Sequence, residues 1–297
     1  MIMSLDTFLS VAAGGLVLGA LYALMAAGLA AIWTTLGIFN FAHGAFIALG
    51  AYIGWQLVDA QAAGLGLVVG VAGATAAMFV FGILFHLALV RPFERRHDIV
   101  IASVITTLAG AAIIENVINL IWGPRSKQLG LIAEGQIDLG FLNFPLNDLV
   151  LIGCVIVILA SLGWFLGRTR TGRSMRAVSQ NREAAELMGL DVPRLYALAF
   201  GISAAMAGLA GIFIGGIRFM TPTMGTDPLM TALIVVIFGG IARFTSPIYA
   251  ALIVGMVESF SNYFVGLYWT PAILFVMMIA VLFFKPSGLF SHHQRTL

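Results

Sequence analysis

Charge is scarce in this sequence. Asp, Glu, Lys and Arg make up 9% of its 297 residues, while hydrophobic residues make up 61%. An ordinary soluble domain is about 25% charged. A water-soluble globule of this length could not cover its surface with so few charges, and the mean hydropathy of +1.03 excludes a disordered chain as well. Cys154 is the single cysteine, so no intrachain disulfide framework exists. Lys127 and Lys285 are the only lysines, and neither stands in a Gly-Lys-Ser/Thr triplet. Without a P-loop the chain is not expected to hydrolyse ATP by itself. There is no HExxH, and Gly201-Ile202-Ser203 lacks the second glycine of a nucleophile elbow. His43 has no Cys or His neighbours with ligand spacing, because His292 and His293 stand in the tail. No catalytic residue and no metal site is therefore expected. The net charge of +2 is too small to suggest nucleic acid.

What the chain has instead is long apolar runs. They lie near 8–33, 37–58, 64–90, 99–122, 148–167, 194–217, 229–242, 248–265 and 271–284. A helix needs about 20 apolar residues to cross the hydrocarbon core. The runs lack the dyad alternation of outer-membrane barrels, so helix is the remaining way to satisfy the backbone in lipid. All 9 prolines fall between runs or at their ends, where a missing N–H costs least. The expected fold is all-α: one polytopic membrane domain over 1–297 with about 8–9 spans, surrounded by membrane lipid, with the loop 168–193 inside it. The loop 123–147 is expected on the opposite side as a small cap. Gly15, Gly19, Ala23, Ala27 and Ala31 repeat at four-residue spacing, as do Gly66, Gly70 and Ala74, and Ala207, Gly211 and Gly215. Each set lines one helix face and permits close helix packing.

Of the 15 Lys and Arg, all but Arg125, Lys127 and Arg218 fall in 91–96, 168–194, at 243 or in the tail. Span parity places those four segments on one side, and the positive-inside rule makes that side cytoplasmic. The C-terminus is then cytoplasmic. The N-terminus is outside with nine spans and inside with eight.

Few polar groups interrupt the runs. Glu115 and Asn116 lie within 99–122, followed by Asn119; Glu258 lies within 248–265; His86 lies late in the third run. Ionisable residues at membrane depth are costly and usually face the bundle interior. Glu115 and Asn116 are read either as polar lining of a substrate path or as buried structural groups bonded to a neighbouring helix. Glu258 reads as structural, and His86 as a satisfied contact near the cytoplasmic end. Asn40, His43 and Gly44 differ, because they sit together in Phe39-Asn40-Phe41-Ala42-His43-Gly44 and interrupt an apolar run as a break in a membrane helix would. Backbone freed at such a break must line protein or a wet cavity. Asn40, His43 and Gly44 are therefore placed at or beside a substrate path.

The loop 168–193 carries the strongest local signal. Asn181 is a plausible N-cap, Arg182–Met188 fits a two-turn helix, and Gly189 fits its C′ stop. Ala184, Leu187 and Met188 share one face, while Arg182, Glu183 and Glu186 cluster away from it. Within the loop only 182–188 shows this capped, amphipathic spacing. Such a helix either docks in a groove of a cytoplasmic partner, for which the small Ala184 and Ala185 suit close approach, or rests on lipid headgroups.

The same residues carry a resemblance. Glu183-Ala184-Ala185 followed by Gly189 is similar to the EAA-xxx-G signature of ABC-importer permeases. Leu36–Gly44, Arg91-Pro92, Gly172–Val178, Ala204–Gly211 and Lys285–Leu289 occur in the order seen in branched-chain amino acid ABC-transporter permeases. The chain resembles the shorter of that family's two permease types, from about residue 15 to 290. The resemblance implies an inner-membrane, multi-pass permease subunit that works as a heterodimer with a longer permease. It also implies two cytoplasmic ATP-binding subunits that hold the ATP, and a periplasmic substrate-binding protein. In it Glu183, Ala184, Ala185, Leu187, Met188 and Gly189 would couple the chain to an ATPase. Ala45 stands where the family usually has Glu, Gly239–Arg243 departs from a Gly-Gly-x-Gly-Ser segment, and the Leu-Pro ending of the longer EAA pattern is missing. Branched-chain or related small amino acids are the implied cargo, with urea, amides or another small polar metabolite as the alternative. An ion-coupled secondary transporter is the rival class, for which Glu115 and Glu258 would be the ion-binding groups.

Overall fold

The computed structural model describes residues 4–59, 64–94, 98–130, 135–138, 143–240 and 245–290. It is built from α-helices and one small hairpin. α1 spans Leu5–Leu36 and α2 His43–Val58; α3, Leu67–Phe85, is prolonged by a π-helical turn, His86–Val90, and a 3-10 turn, Arg91–Phe93. α4 (Ile99–Trp122) is followed by β1 (Gln136–Asp138) and β2 (Asn143–Pro145), paired antiparallel with Ile137 opposite Phe144. α5 (Leu146–Arg168), α6 (Arg170–Gln180), α7 (Arg182–Leu187), α8 (Val192–Ile217), α9 (Thr226–Gly239), α10 (Ser246–Phe264) and α11 (Thr270–Phe284) complete the order.

Each apolar run contains one α-helix, so the all-α class read from hydropathy holds. Proline sits in the first turn of α8, α10 and α11, where its missing N–H has no partner to lose. The span count of 8–9 is matched in part. Among the described residues, five segments are long and apolar enough to cross a membrane: α1, Leu67–Phe93, α4, α5 and α8. α2 has 16 residues, α9 14 and α11 15, so each falls short of a full crossing at 1.5 Å per residue.

α1 and α8 form the centre. α1 is buried nearly without interruption from Gly19 to Ile32, and α8 from Ala199 to Gly216. Small residues make this possible. A Cβ on Gly19 would meet the backbone of Ala251 and Leu252 in α10, and one on Gly211 would overlap the carbonyl of Ile47 in α2. α2 also crosses α8 where Gly50 meets Gly208 backbone to backbone, and Gly82 of α3 rests on the carbonyl of Phe200. The stripes at Gly15/Gly19, Gly70 and Gly211/Gly215 therefore serve contacts within this chain. α4, α5 and α11 lie outside this centre and bury one narrow face each.

The charged ends also sort. Arg182 of α7 donates to the Glu94 carbonyl, and the end of α1 lines a cavity with Gln180 and Arg182. The α1 C-terminus, the 91–94 turn and the α6–α7 loop thus share one end of the bundle. At the end of α4, Lys127 exchanges backbone hydrogen bonds with Met220 and its ammonium lies 4.0 Å from the Trp55 ring centroid. Residues 125–127 and 218–220 therefore lie together, as the distribution of basic residues required. Arg95, Arg96, Arg243 and Arg295 fall outside the described residues.

Candidate functional site

α1 ends at Leu36 because Gly37 adopts a left-handed conformation, φ 72°, and its N–H closes the helix on the Trp33 carbonyl. The chain then turns back. Residues 37–42 run beside the last turns of α1, with the Phe39 ring tilted against that of Trp33, centroids 3.9 Å apart. α2 begins only at His43, level with Met25 and Gly28. Those residues are 8–11 positions before the end of α1, about 12–16 Å along its axis. The break expected at Asn40–Gly44 is thus a re-entrant turn: non-helical backbone over 37–42, enclosed by protein, that leads into the first turn of α2 at His43 and Gly44.

Its polar groups are held by three helices. His43 is fully buried; Nε2 lies 3.1 Å from the Met25 carbonyl and Nδ1 3.3 Å from Ser203 Oγ. A carbonyl only accepts, so Nε2 carries the proton and Nδ1 accepts from Ser203. Both ring nitrogens are engaged and the ring pins the start of α2 to α1 and α8. Asn40 caps the same turn by accepting from the Ala42 N–H at 3.0 Å, and the Phe41 N–H donates to Thr107 Oγ1 of α4 at 3.2 Å. Asn40 Nδ2 and Ser103 Oγ are buried with no partner among the described residues. Gly44 touches Gly225, the N-cap of α9: a Cβ on Gly44 would stand 2.6 Å from the Gly225 carbonyl oxygen. Two short helices, α2 and α9, therefore begin at one buried point, and neither has a side-chain cap on its own N-cap residue. Buried broken helices starting together mark the place where a transporter can expose backbone dipoles to a passing solute. Sequence reasoning found Asn40, His43 and Gly44 but not Thr107, Ser103, Ser203 or Gly225. The four-residue spacing of Ser103 and Thr107 on α4 was the available signal.

Glu115 and Asn116 are elsewhere. They lie further along α4 than Thr107 and off its buried face, which is formed by Ser103, Thr107, Gly110, Ile114 and Ile118. Asn116 is exposed, with Nδ2 bonded back to the Ala112 carbonyl at 2.8 Å. The structure does not bring this pair to Asn40–Gly44. Glu258 accepts a 2.6 Å hydrogen bond from the Tyr22 hydroxyl and ties α10 to α1, in line with its structural reading.

The second region is the α6–α7 loop. α7 is capped as read: Asn181 Oδ1 accepts from the Ala184 N–H at 2.9 Å. Gly189 has φ 81°, with Gly189 N–H on the Glu186 carbonyl and Leu190 N–H on the Ala185 carbonyl, a complete Schellman stop. Glu183 and Ala184 are exposed, and Leu187 and Met188 are 89% and 84% exposed. Ala185 departs from the reading. It is buried against Met175, Val178, Val192, Leu195 and Tyr196, so its small size serves packing inside this chain, not a groove in another. The loop also contains a helix that was not expected, α6. Thr169 caps it by accepting from the Gly172 N–H, and Gly172, Met175 and Val178 form its buried face. The arginines and Gly172 obscured a clean three- and four-residue spacing.

Arg182 joins this loop to the membrane helices. It bonds Glu186 at 3.0 Å and the Glu94 carbonyl at 3.3 Å, and lies over the Tyr196 ring. Partial burial disfavours its charge, but the Glu186 hydrogen bond and the neighbouring Tyr196, Glu186 and Glu94 outweigh this, and its pKa is raised. Glu94 in turn holds His86 Nε2 at 2.6 Å, at the π-helical turn ending α3. The satisfied contact read for His86 is this one. A cavity of about 500 Å³ opens beside these groups, lined by Trp33, Thr35, Ile99, Gln180, Arg182 and Tyr196.

The arrangement is a helical membrane bundle with a buried helix break and an exposed amphipathic helix at one end, the form of a transport permease. The model of the family "Branched-chain amino acid transport system / permease component" matches residues 11–282, and the chain belongs to that family. The high-affinity branched-chain amino acid transport system permease protein LivH of Escherichia coli K12 is 27% identical over 95% of each chain. The fructose import permease protein FrcC of Rhizobium meliloti is 36% identical over 110 residues, 34% of this chain and 31% of that one. Among solved structures, PsaBC from Streptococcus pneumoniae in complex with Fab matches with a TM-score of 0.49 and 15% identity, covering 96% of this chain and 93% of that one. The relatives are permease subunits of transport systems, which supports the transport class over an enzyme.

Proposed function

We propose that this chain is the membrane-spanning subunit of an ATP-driven importer that carries branched-chain or related small amino acids across the inner membrane. Asn40, His43 and Gly44, with Gly225, border the substrate path. Glu183, Ala184, Leu187, Met188 and Gly189 form the contact with an ATP-binding subunit, and Ala185 supports that contact from behind. In this reading the ATP is held by two partner chains, a second permease completes the path, and a periplasmic binding protein delivers cargo. The α6–α7 end and the C-terminus face the cytoplasm.

One observation carries the reading. A fully capped helix turns two large apolar side chains, Leu187 and Met188, to solvent while Ala185 anchors its other side. A free helix of six residues gains little from exposing them, so they are surface for a partner. The test is the double variant Leu187→Asp/Met188→Asp. It should stay in the membrane with its fold intact and lose at least tenfold in co-purified ATPase chains; unchanged recovery would reject α7 as the dock. For the cargo, the purified binding protein should be titrated with leucine, amides, urea and fructose. Tightest binding of anything but an aliphatic amino acid would replace the substrate named above.

A further inference from the structure

We propose that the cavity of about 500 Å³ at the α6–α7 end is a binding site for a small zwitterion, a free α-amino acid. The chemistry follows from the residues that line it. The importer reading enters only in the choice of leucine as a probe.

One part of the lining favours a cation. Residues 33–37, the end of α1, and 178–180, the end of α6, both border the cavity. The last carbonyls of a helix have no intrahelical donor. Here the Gly37 N–H takes the Trp33 carbonyl and the Asn181 N–H that of Ala177, while the carbonyls of 34–36 and 178–180 accept no backbone hydrogen bond among the described residues. Two helix C-termini thus meet at one cavity, and their partial negative charges attract an ammonium group. The Thr34 and Thr35 hydroxyls donate back to the Ala30 and Ala31 carbonyls, which leaves both as acceptors only.

Another part favours an anion. Arg182 spends Nε on Glu186 and one Nη1 hydrogen on the Glu94 carbonyl, and keeps further N–H groups on Nη1 and Nη2. Ile99, the first residue of α4, also lines the cavity; its N-cap Asp98 makes no side-chain cap, so the first N–H groups of α4 are open as well. Trp33, Ile99 and Tyr196 add apolar surface for a side chain.

A cation alone would meet Arg182, and an anion alone would meet two helix C-termini. A molecule that carries both charges close together suits both parts. An α-amino acid is a compact molecule of that kind, and the cavity has the size of a small-metabolite site. Bound there, it would tie the end of α1 to α6 and to Arg182 of α7. A phosphatidylethanolamine headgroup carries the same pair of charges, and the test separates the two.

The test uses the complex as purified from the membrane, in nanodiscs of phosphatidylglycerol and with no periplasmic binding protein added. Tritiated L-leucine should bind saturably. Isoamylamine and 4-methylpentanoate, which each lack one of the two charged groups, should displace it about tenfold less well than unlabelled leucine, or worse. Gln180→Trp, at an exposed position of the lining, should fill the cavity and weaken leucine binding by about tenfold or more while the recovered subunit is unchanged. Arg182→Gln should weaken it as much. No saturable binding, equal displacement by the amine or the acid alone, or binding that survives Gln180→Trp at full affinity would overturn the proposal. In phosphatidylethanolamine nanodiscs the affinity should be the same; its loss there would give the cavity to the lipid headgroup and would also overturn it. ATPase chains recovered with the complex are counted separately. Their absence beside leucine binding that Gln180→Trp abolishes sinks the importer reading alone, and their presence without leucine binding sinks only this site.

Discussion

At the residue scale, the contacts that set this molecule are between groups with almost no room to change. Gly44 is the clearest. Any side chain there meets the Gly225 carbonyl, so even Gly44→Ala must push α9 away from α2, at a cost of about 1–3 kcal/mol by overpacking. Gly153→Ala, at a position with open space around it, is the control. The expected outcome is a lower unfolding temperature in detergent and reduced transport for Gly44→Ala, with neither change for Gly153→Ala. The His86–Glu94 contact is equally constrained. Glu94→Ala would leave both nitrogens of a buried ring unpaired, because His86 Nδ1 has no partner among the described residues. A buried group left unsatisfied costs about 1–3 kcal/mol. Glu94→Gln keeps an acceptor for His86 and should unfold at a higher temperature than Glu94→Ala in the same assay.

At the element scale, α7 distinguishes support from contact. Ala185→Trp should disrupt the packing of α7 on α6 and α8, and so lower the yield of folded subunit before any partner is added. Asn181→Ala removes the cap and should destabilise the same region by about 1 kcal/mol, measurable as faster amide exchange at 184–187. How much of these elements was legible depends on whether their signal was local. Asn181 and Gly189 announce α7 because caps are properties of a few adjacent residues. The break at 37–44 was readable because Asn, His and Gly are out of place in an apolar run. What could not be read was tertiary. Nothing near Ala185 says which side of α7 is covered, and nothing near Glu115 says that α4 turns it outward. Gly225 could not be tied to Gly44 across 180 residues. Span lengths were harder to read for a similar reason: hydropathy reports apolar length, and the run 37–58 is apolar across a stretch of which only His43–Val58 is helical.

At the scale of the whole molecule, the two charged ends give a test of orientation. Ser126 is exposed and Ser174 half-buried, and they lie at opposite ends of the bundle. Ser126→Cys should react with a membrane-impermeant maleimide in intact cells, and Ser174→Cys only after permeabilisation; the opposite pattern would invert the orientation. The centre of the bundle has a further consequence, for biogenesis. The most lipid-like stretches of α1 and α8 are 89% and 83% buried, while that of α5 is 17% buried. α1 is therefore synthesised well before the partners that seal it away from lipid, α8 and α10, which begin only at Val192 and Ser246. Until those partners are synthesised, α1 waits in the bilayer with its glycine and alanine stripe facing acyl chains. A stripe of that kind loses little there, since it has no polar group to satisfy and no large side chain to displace when α8 and α10 arrive. Chains truncated before Val192 should accordingly insert α1 and leave it open to proteases and to foreign helices, so completion of synthesis doubles as the quality-control step for the centre of this protein.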